Sequence, residues 1–211
     1  MNDGRVILVG GGAFGRELAG WAEQGALEGG ARITAFLDDD AAALDGFGYA
    51  FEHLGSIDDF QPRAGDRLLM AIGDPGHKRR IAQQLKARGA RFARLVHASA
   101  VVARTAQLGE GVVLCPLAVV STNARVGDLV AVNSFSGVGH DVVLGAYSTL
   151  SSHVDLTGWV TVGEGCFFGS GARVAPKVSI GAGARIGAGA TVLRKVAEGA
   201  VMYTPPAKRL M

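Results

Sequence analysis

The sequence predicts a molecule of two parts: a small parallel α/β domain over residues 1–95, and a parallel β-helix with a C-terminal tail over residues 96–211. Two observations carry this prediction. Short apolar runs alternate with helical stretches before residue 95, and an apolar residue recurs at every sixth position after it. A helix repeats near 3.6 residues and a strand at 2, so a sustained period of six indicates a stacked solenoid.

The first part contains strands that are each followed by a turn or helix. Val6–Val9 is an apolar run before a glycine-rich turn and the helical stretch Arg16–Gln24, and Ile33–Leu37 is a second strand. Leu68–Ile72 is a further strand, and Pro75 can begin the helix after it. Strands that alternate with helices predict a small parallel sheet.

The glycine-rich turn has the pattern of a phosphate-binding turn. Gly10, Gly12 and Gly15 match G-x-G-x-x-G between a strand and a helix. Such glycines let the backbone approach a diphosphate, and the helix N-terminus offers free N–H groups. Asp38, further along the chain, could accept a hydrogen bond from a ribose hydroxyl. We therefore expect a Rossmann-like domain, with a tight turn that binds nothing as the alternative.

The size of this domain favours one type of nucleotide ligand. Residues 1–95 can hold about one mononucleotide half of the doubly wound fold, which is built from two. The nucleotide part of a sugar donor therefore fits better than NAD. An NAD-dependent dehydrogenase built on the same glycine motif remains an alternative.

The solenoid repeat runs from Val96 to Val192. Every position divisible by six is aliphatic or Phe, and the residue two places earlier is small or Val. We expect the first to fill the interior and the second to fit beside a corner of a triangular coil. Three hexads form one coil, so residues 18 apart should lie above one another. Glycines that follow the interior residue are expected to give the backbone freedom for each bend: Gly109, Gly127, Gly139, Gly145, Gly163, Gly169, Gly181 and Gly187.

One histidine has an unusual setting. His140 stands two positions after the interior residue Val138, at a hexad position that elsewhere carries mainly polar or charged residues, so it should face outward. An imidazole, with a reference pKa of about 6.5, can take a proton near neutral pH. Gly158 lies 18 residues later, and its N–H could donate to a developing oxyanion beside the imidazole. An ordinary surface histidine and a corner glycine are the alternatives.

The composition excludes several classes of partner. Charged residues make up 19% of the chain and the net charge is +2, so we expect neither nucleic acid nor an anionic membrane as a partner. The N-terminus lacks a signal-peptide pattern, and the two cysteines suggest a reducing compartment, so we expect a cytoplasmic protein.

No metal site is expected. Cys115 and Cys166 show no metal-ligand spacing, and His97, His140 and His153 are not separated by multiples of 18. Zinc ligands must converge to about 2 Å from the metal, which this spacing does not predict.

Together these residues make the chain resemble the NeuD/PglD-type sugar acetyltransferases, a family that includes perosamine N-acetyltransferase, over essentially its whole length. The glycine-rich turn and the segments 36–40, 72–80, 133–140 and 206–209 all have counterparts there. The resemblance implies a left-handed β-helix and a homotrimer with active sites between subunits. It implies acetyl-CoA as co-substrate and, as acceptor, the amine of a nucleotide-linked deoxyamino sugar of the perosamine or bacillosamine type, used in surface-glycan biosynthesis.

The resemblance also implies catalytic roles. His140 would be the general base in direct transfer, with Asp141 as the acidic neighbour that orients or tunes it and Asn133 as a further site residue. The N–H of Gly158 would donate to the thioester oxygen. Thr149 stands where many relatives carry a second histidine.

Further residues are implied in binding. Gly12, Asp38, Asp39 and Gly73 would hold the nucleotide, and the basic pair Lys208 and Arg209 would meet the phosphates of CoA. Two alternatives stay open: an O-acetyltransferase of sialic acid or another sugar hydroxyl, and a trimeric scaffold that binds without catalysis.

Overall fold

The computed structural model describes residues 5–205. Its first part is one parallel sheet of four strands in the order β3-β2-β1-β4. The predicted α/β region is confirmed, with β3 as an additional strand. The elements in chain order are β1 (Val6–Val9), α1 (Ala13–Trp21), β2 (Ile33–Leu37), β3 (Glu52–His53), β4 (Arg67–Met70) and α2 (Pro75–Ala87).

The helix after the glycine-rich turn begins and ends earlier than the sequence predicted. It starts at Ala13, and after Trp21 the chain enters a π-helical turn, Ala22–Ala26. Gly25 within that turn has a φ of 80°, a left-handed conformation that ends helical geometry.

Helix α2 begins where its capping residues predict. The Asp74 carboxylate accepts hydrogen bonds from the N–H groups of Gly76 and His77, both 3.0 Å long, and Pro75 occupies the first helical position. The buried residues of the helix lie three or four positions apart, which gives one buried stripe. This stripe contains Pro75, Lys78, Ile81, Ala82 and Leu85.

The second part is a parallel β-solenoid of two-residue strands. In chain order these are β5 (Leu95–Val96), β6 (Val101–Val102), β7 (Gln107–Leu108), β8 (Val113–Leu114), β9 (Val119–Val120), β10 (Arg125–Val126), β11 (Ala131–Val132), β12 (Gly137–Val138), β13 (Val143–Leu144), β14 (Thr149–Leu150), β15 (Asp155–Leu156), β16 (Thr161–Val162), β17 (Phe167–Phe168), β18 (Arg173–Val174), β19 (Ser179–Ile180), β20 (Arg185–Ile186), β21 (Thr191–Val192) and β22 (Val201–Met202).

These strands form three faces of seven, six and five strands. The first face runs from β5 to β22, the second from β6 to β21 and the third from β7 to β19. Neighbouring strands pair in the predicted register of 18 residues, for example Val96 with Leu114. In the final pairing, the partners Arg185 and Val201 are separated by two residues fewer than in the other coils. This pairing comes after the hexad pattern has ended at Val192.

The hexad aliphatic residues fill the interior as predicted. Val120, Leu156 and Phe168 are fully buried, and the small residues two places earlier, such as Ala118 and Ala172, line the same core. Burial of one such aliphatic side chain contributes about 1.5–3 kcal/mol. The stack of interior side chains therefore holds the coils together.

The predicted role of the hexad glycines is wrong. The left-handed backbone lies at the third position after the interior residue, and side chains as large as Phe135 (φ 62°) and Tyr147 (φ 63°) occupy it. The glycine directly after the interior residue serves close stacking instead. A Cβ at Gly127 would lie 2.6 Å from the backbone nitrogen of Ala146 in the next coil. Glycine is needed at these positions because the next coil lies too close for a Cβ, and not because the chain bends there.

The two parts pack together through two buried apolar clusters, one of which joins Ile7 to Leu129. Leu95 in β5 and Val113, Cys115 and Ala131 on the first face belong to the same buried cluster as Leu8 in β1. Left-handed winding, Rossmann-like character and a domain division at residue 95 stay predictions. Between residues 5 and 205, no helix is long and apolar enough to cross a membrane.

Candidate active site at a corner of the solenoid

The turn between the second and third faces is called here the histidine corner. At the third position after the interior residue, its successive coils carry Thr105, Asn123, Asp141, Trp159 and Lys177. Asn123, Asp141, Trp159 and Lys177 have φ values between 58° and 64°. His140 directly precedes Asp141, so the 18-residue register stacks its neighbours above and below it.

His140 and Asp141 form a hydrogen-bonded pair. Nδ1 of His140 lies 3.0 Å from Oδ2 of Asp141, and 44% of the histidine side chain is exposed. The hydrogen bonds from His140 and Asn123 hold the pKa of the Asp141 carboxyl below its usual range. A carboxylate on Nδ1 favours the tautomer in which Nε2 is free to accept a proton. The exposure of its side chain shows that His140 faces outward, as the hexad position predicted.

Gly158 stacks against the imidazole, as the register predicted. A Cβ at this position would lie 2.5 Å from Cε1 and 3.1 Å from Cδ2 of His140, and still closer to Nε2. Among residues 5–205, the Gly158 N–H donates no hydrogen bond to another protein group. Glycine is therefore the residue that leaves room for the ring, and it has a free donor beside Nε2.

Trp159 forms one side of the His140 environment. Its ring meets the imidazole edge-on, with 4.3 Å between centroids, and about half of the residue is exposed. The backbone N–H of Trp159 donates to the carbonyl oxygen of His140 at 3.0 Å. Lys177 Nζ lies 5.5 Å from the indole centroid. The candidate base is thus flanked by an aromatic ring that a cation faces, and sequence reasoning singled out neither residue.

A groove of about 370 Å³ runs along the third face beside Asp141. Both Asn123 and Asp141 contribute to its wall, so the hydrogen-bonded carboxylate borders a concave surface. The lining residues are Thr105, Gln107, Asn123, Arg125, Asp141 and Val143.

Asn133 lies at a different corner. It follows β11 on the first face, whereas His140 follows β12 on the second, so one face of the solenoid separates them. Its amide oxygen accepts a hydrogen bond from the Cys115 thiol at 3.3 Å. Within one subunit the structure therefore does not bring Asn133 into the His140 site.

The two cysteines are unsuited to nucleophilic catalysis. Cys115 and Cys166 are fully buried, and burial raises the pKa of each thiol above its usual range. The Cys166 thiol also donates to the carbonyl oxygen of Gly181 at 3.1 Å. Because the thiolate is the reactive form, neither side chain can readily carry an acyl group.

The residues predicted to bind a nucleotide gather at the carboxyl edge of the sheet. Gly12 caps α1, and the space where its Cβ would lie is open. One Asp38 oxygen accepts from the Gly11 N–H at 2.7 Å and the other from the Asp40 N–H at 3.0 Å. Asp39 is exposed. Asp38 therefore holds the glycine-rich turn, while Asp39 is the more accessible carboxylate.

Gly73 lies in the junction with the solenoid. Its carbonyl oxygen accepts a hydrogen bond of 2.7 Å from the Thr149 hydroxyl, which in turn accepts from Lys78 Nζ at 2.7 Å. Nζ also donates to the carbonyl oxygen of Ser148 at 3.2 Å. Thr149 is thus buried on the first face, where it joins the two parts of the chain.

Lys78 is a buried amine that sequence reasoning missed. It is 1% exposed, and burial lowers its pKa to about 7, with only partial opposition from the charge of Asp74. The helical spacing from Pro75 to Ile81 and Leu85 could have identified it, because Lys78 occupies the same stripe as these apolar residues.

Two predicted residues fall outside the described part of the chain. Lys208 and Arg209 follow residue 205, so their role stays a prediction. Within residues 5–205, no three His, Cys, Asp or Glu side chains gather as metal ligands.

The chain is similar to several known acyltransferases. The family model "Bacterial transferase hexapeptide (six repeats)" matches residues 160–194. A crystal structure of perosamine N-acetyltransferase from Caulobacter crescentus is 30% identical to the chain, with 97% of this chain and 96% of that chain covered and a TM-score of 0.85. That protein carries a histidine-to-asparagine substitution and is in complex with CoA and GDP-perosamine.

Two further structures are similar over nearly their full length. The acetyltransferase domain of PglB from Neisseria gonorrhoeae FA1090, in complex with acetyl coenzyme A, is 28% identical, with 98% and 99% of the chains covered and a TM-score of 0.84. WeeI from Acinetobacter baumannii AYE is 26% identical, with 98% and 99% covered and a TM-score of 0.82. No curated protein sequence matches the chain.

A hexapeptide solenoid with an exposed histidine–carboxylate pair at a corner is an acyltransferase architecture, and the chain is an acyltransferase. More narrowly, the chain belongs to the NeuD/PglD-type sugar acetyltransferase family.

Proposed function

We propose that the protein is an acetyl-CoA-dependent N-acetyltransferase that acts on the amino group of a nucleotide-linked deoxyamino sugar, of the perosamine or bacillosamine type, in surface-glycan biosynthesis. The observation that carries the proposal is the arrangement at His140. Its Nδ1 is hydrogen-bonded to Asp141 at 3.0 Å, and the Nε2 side of its ring packs against Gly158, whose N–H makes no hydrogen bond within residues 5–205. Complexes of similar proteins with GDP-perosamine and with acetyl coenzyme A support the two substrates.

The reaction is a direct transfer. The sugar amine attacks the thioester carbonyl carbon, and Nε2 of His140 takes the proton that the amine loses. The N–C bond forms and the C–S bond breaks, so that the acetyl group ends on nitrogen. The imidazolium of His140 gives its proton to the departing sulfur, which leaves as the CoA thiol and returns His140 to its neutral form. The Gly158 N–H donates to the oxygen that becomes negative in the tetrahedral intermediate. Asp141 orients the ring and balances the charge of the imidazolium.

A homotrimer with active sites between subunits would give Asn133 a catalytic place. Asn133 is remote from His140 in its own subunit, so it acts in this proposal from a neighbouring subunit. Exposed apolar residues on the second face and the corner before it support such an interface, since large exposed apolar patches mark contact surfaces. They are Val101, Leu117, Val119 and Phe135.

The nucleotide is assigned to the carboxyl edge of the α/β sheet. The strand order β3-β2-β1-β4 matches one end of the doubly wound order and supports a Rossmann-like domain. Gly12 leaves the approach to the α1 N-terminus open, Asp39 is accessible to a ribose, and Asp38 and Gly73 shape the edge. Lys208 and Arg209 are assigned to the CoA phosphates. Both substrates are small molecules of the cytoplasm, where we place the enzyme, with no role for nucleic acid or membrane.

The test is a thiol-release assay with acetyl-CoA and a panel of GDP-, UDP- and dTDP-linked amino sugars. Thiol release with one amino sugar, and a product that withstands mild alkali as an amide does, supports the proposal. An alkali-labile product formed with a sugar hydroxyl would identify an O-acetyltransferase. Binding of both substrates without thiol release would identify a non-catalytic scaffold.

A further inference from the structure

We propose that Asn123 is a positioning residue, which holds the Asp141 carboxylate and thereby fixes His140 in the orientation for proton transfer. This inference rests on the proposed function, because it assigns a role within the same site. Asn123 lies one coil before Asp141 in the histidine corner, and its side chain is the next partner outward from the pair.

The hydrogen bonds form a continuous chain. Nδ2 of Asn123 donates to Oδ1 of Asp141 at 3.2 Å, while Oδ2 of Asp141 faces Nδ1 of His140 at 3.0 Å. The two carboxylate oxygens therefore have different partners, and rotation about the side-chain bond would break both contacts. The hydrogen bonds from His140 and Asn123 both lower the pKa of Asp141, which keeps it ionised.

Packing does not fix this carboxylate. Asn123 is exposed, and the side chains of Asp141 and His140 are 35% and 44% exposed. An exposed side chain ordinarily samples several rotamers, so hydrogen bonds must restrict it. Asn123 supplies the restriction on the side opposite His140.

Asn123 is itself held at the backbone. Its N–H donates to Oγ1 of Thr105 at 3.0 Å, one coil earlier, and the Asp141 N–H donates to the carbonyl oxygen of Thr122 at 3.0 Å. The backbone that carries the Asn123 amide is thus fixed to the solenoid, which restricts the amide to positions close to Asp141.

Backbone conformation does not explain an asparagine here. Asn123 has a φ of 58°, but Lys177 at the same corner, and Leu117 and Phe135 at the corner before the second face, adopt the same left-handed conformation. The coil accepts an apolar or charged residue in this conformation. The feature that distinguishes Asn123 is the amide donor aimed at Asp141.

Two variants distinguish a positioning role of Asn123 from a role in the stability of the fold. Asn123→Gly removes the donor without backbone strain, since Gly165 and Gly171 already occupy equivalent left-handed positions. Asn123→Asp retains the shape but cannot donate to Asp141 when ionised. We expect kcat to fall about tenfold in both, the effect of losing one charge-assisted hydrogen bond, with the KM for acetyl-CoA and the Tm unchanged.

A second measurement can be made on the protein without a sugar substrate. In protein labelled with ¹⁵N at the histidine rings, the long-range ¹H–¹⁵N spectrum reports which His140 nitrogen carries the proton, with His140→Asn used for assignment. We expect the Nδ1–H tautomer in the parent and a mixture of tautomers in Asn123→Gly. A parent-like kcat or a parent-like tautomer in Asn123→Gly would overturn the inference. Absence of acetyl transfer by the parent would instead count against the proposed function alone.

Discussion

Gly158 lies one coil beyond His140, so close that a methyl group at position 158 would sit 2.5 Å from Cε1 of the imidazole. The contact follows from the 18-residue register, which stacks Val138 on Leu156 just before the two residues. The Gly158 N–H, which makes no hydrogen bond within residues 5–205, belongs to this same contact. Gly158 is therefore a steric requirement for this position of the imidazole, and its N–H is the oxyanion donor in the proposed reaction.

Gly158→Ala should disable the site without unfolding the protein. The new methyl group must push the imidazole away from Asp141, and a displacement of about 1 Å of a catalytic group can cost about 100-fold in rate. We expect kcat to fall by about that factor in the thiol-release assay, with an unchanged Kd for acetyl-CoA. Gly20→Ala, in helix α1, is the control and should keep parent activity. Normal turnover by Gly158→Ala would contradict the packing described.

The register and the interior of the solenoid could be predicted from the sequence because both depend on spacing along the chain. The stacking of Gly158 on His140 follows from the same spacing. The role of the hexad glycines could not be predicted in this way, since it depends on the distance between coils. The resemblance groups Asn133 with His140, although the two residues follow successive interior residues, Val132 and Val138, and therefore lie at different corners of the chain.

Asn123 and Lys78 show two further limits of sequence reasoning. Asn123 lies 18 residues before Asp141, so the register could have paired them, but a polar residue at an exposed corner has no distinctive pattern. Lys78 lies in a basic run, which is typical of a solvated helix face. Its burial is explained by the polar partners Ser148 and Thr149, which come from the other part of the chain.

Variants of the two aspartates at the sheet edge should have different effects, one on stability and the other on nucleotide binding. Asp38→Asn retains one oxygen acceptor and presents an amide donor to the second N–H, so unfolding free energy should fall by about 1–3 kcal/mol. Asp39→Asn should leave the Tm unchanged and raise the KM for the nucleotide sugar. Thermal unfolding and steady-state kinetics check both. A large loss of Tm in Asp39→Asn, with an unaltered KM, would refute the assignment of these roles.

Lys78 predicts a pH dependence of stability. Its pKa is lowered to about 7 in the folded protein, whereas the unfolded chain binds the proton up to about pH 10.4. Between these values the unfolded state holds more protons, so the contribution of Lys78 to stability rises with pH. The cost of the buried amine is therefore greatest at and below pH 7 and disappears as the pH approaches 10.

The variant Lys78→Met removes the pH-dependent contribution of the buried amine to stability. The stability of the variant relative to the parent should fall by up to about 4 kcal/mol from pH 7 to pH 10, measured by urea unfolding at one protein concentration. Lys86→Met, on the same helix, removes an amine whose pKa is raised by Glu110 and Asp128, and its effect should stay constant up to about pH 9. The same pH slope in both variants would argue against a lowered pKa at Lys78.

The central claim is that Nε2 of His140 takes the proton from the acceptor amine. The most direct measurement compares kcat of the parent and His140→Asn with acetyl-CoA and GDP-perosamine, or the best acceptor found, alongside the Kd of each substrate. His97→Asn, in the first coil, is the matched histidine control. We predict that kcat falls at least about 100-fold in His140→Asn alone, with both Kd values retained. Near-parental turnover by His140→Asn with both substrates bound would contradict the account.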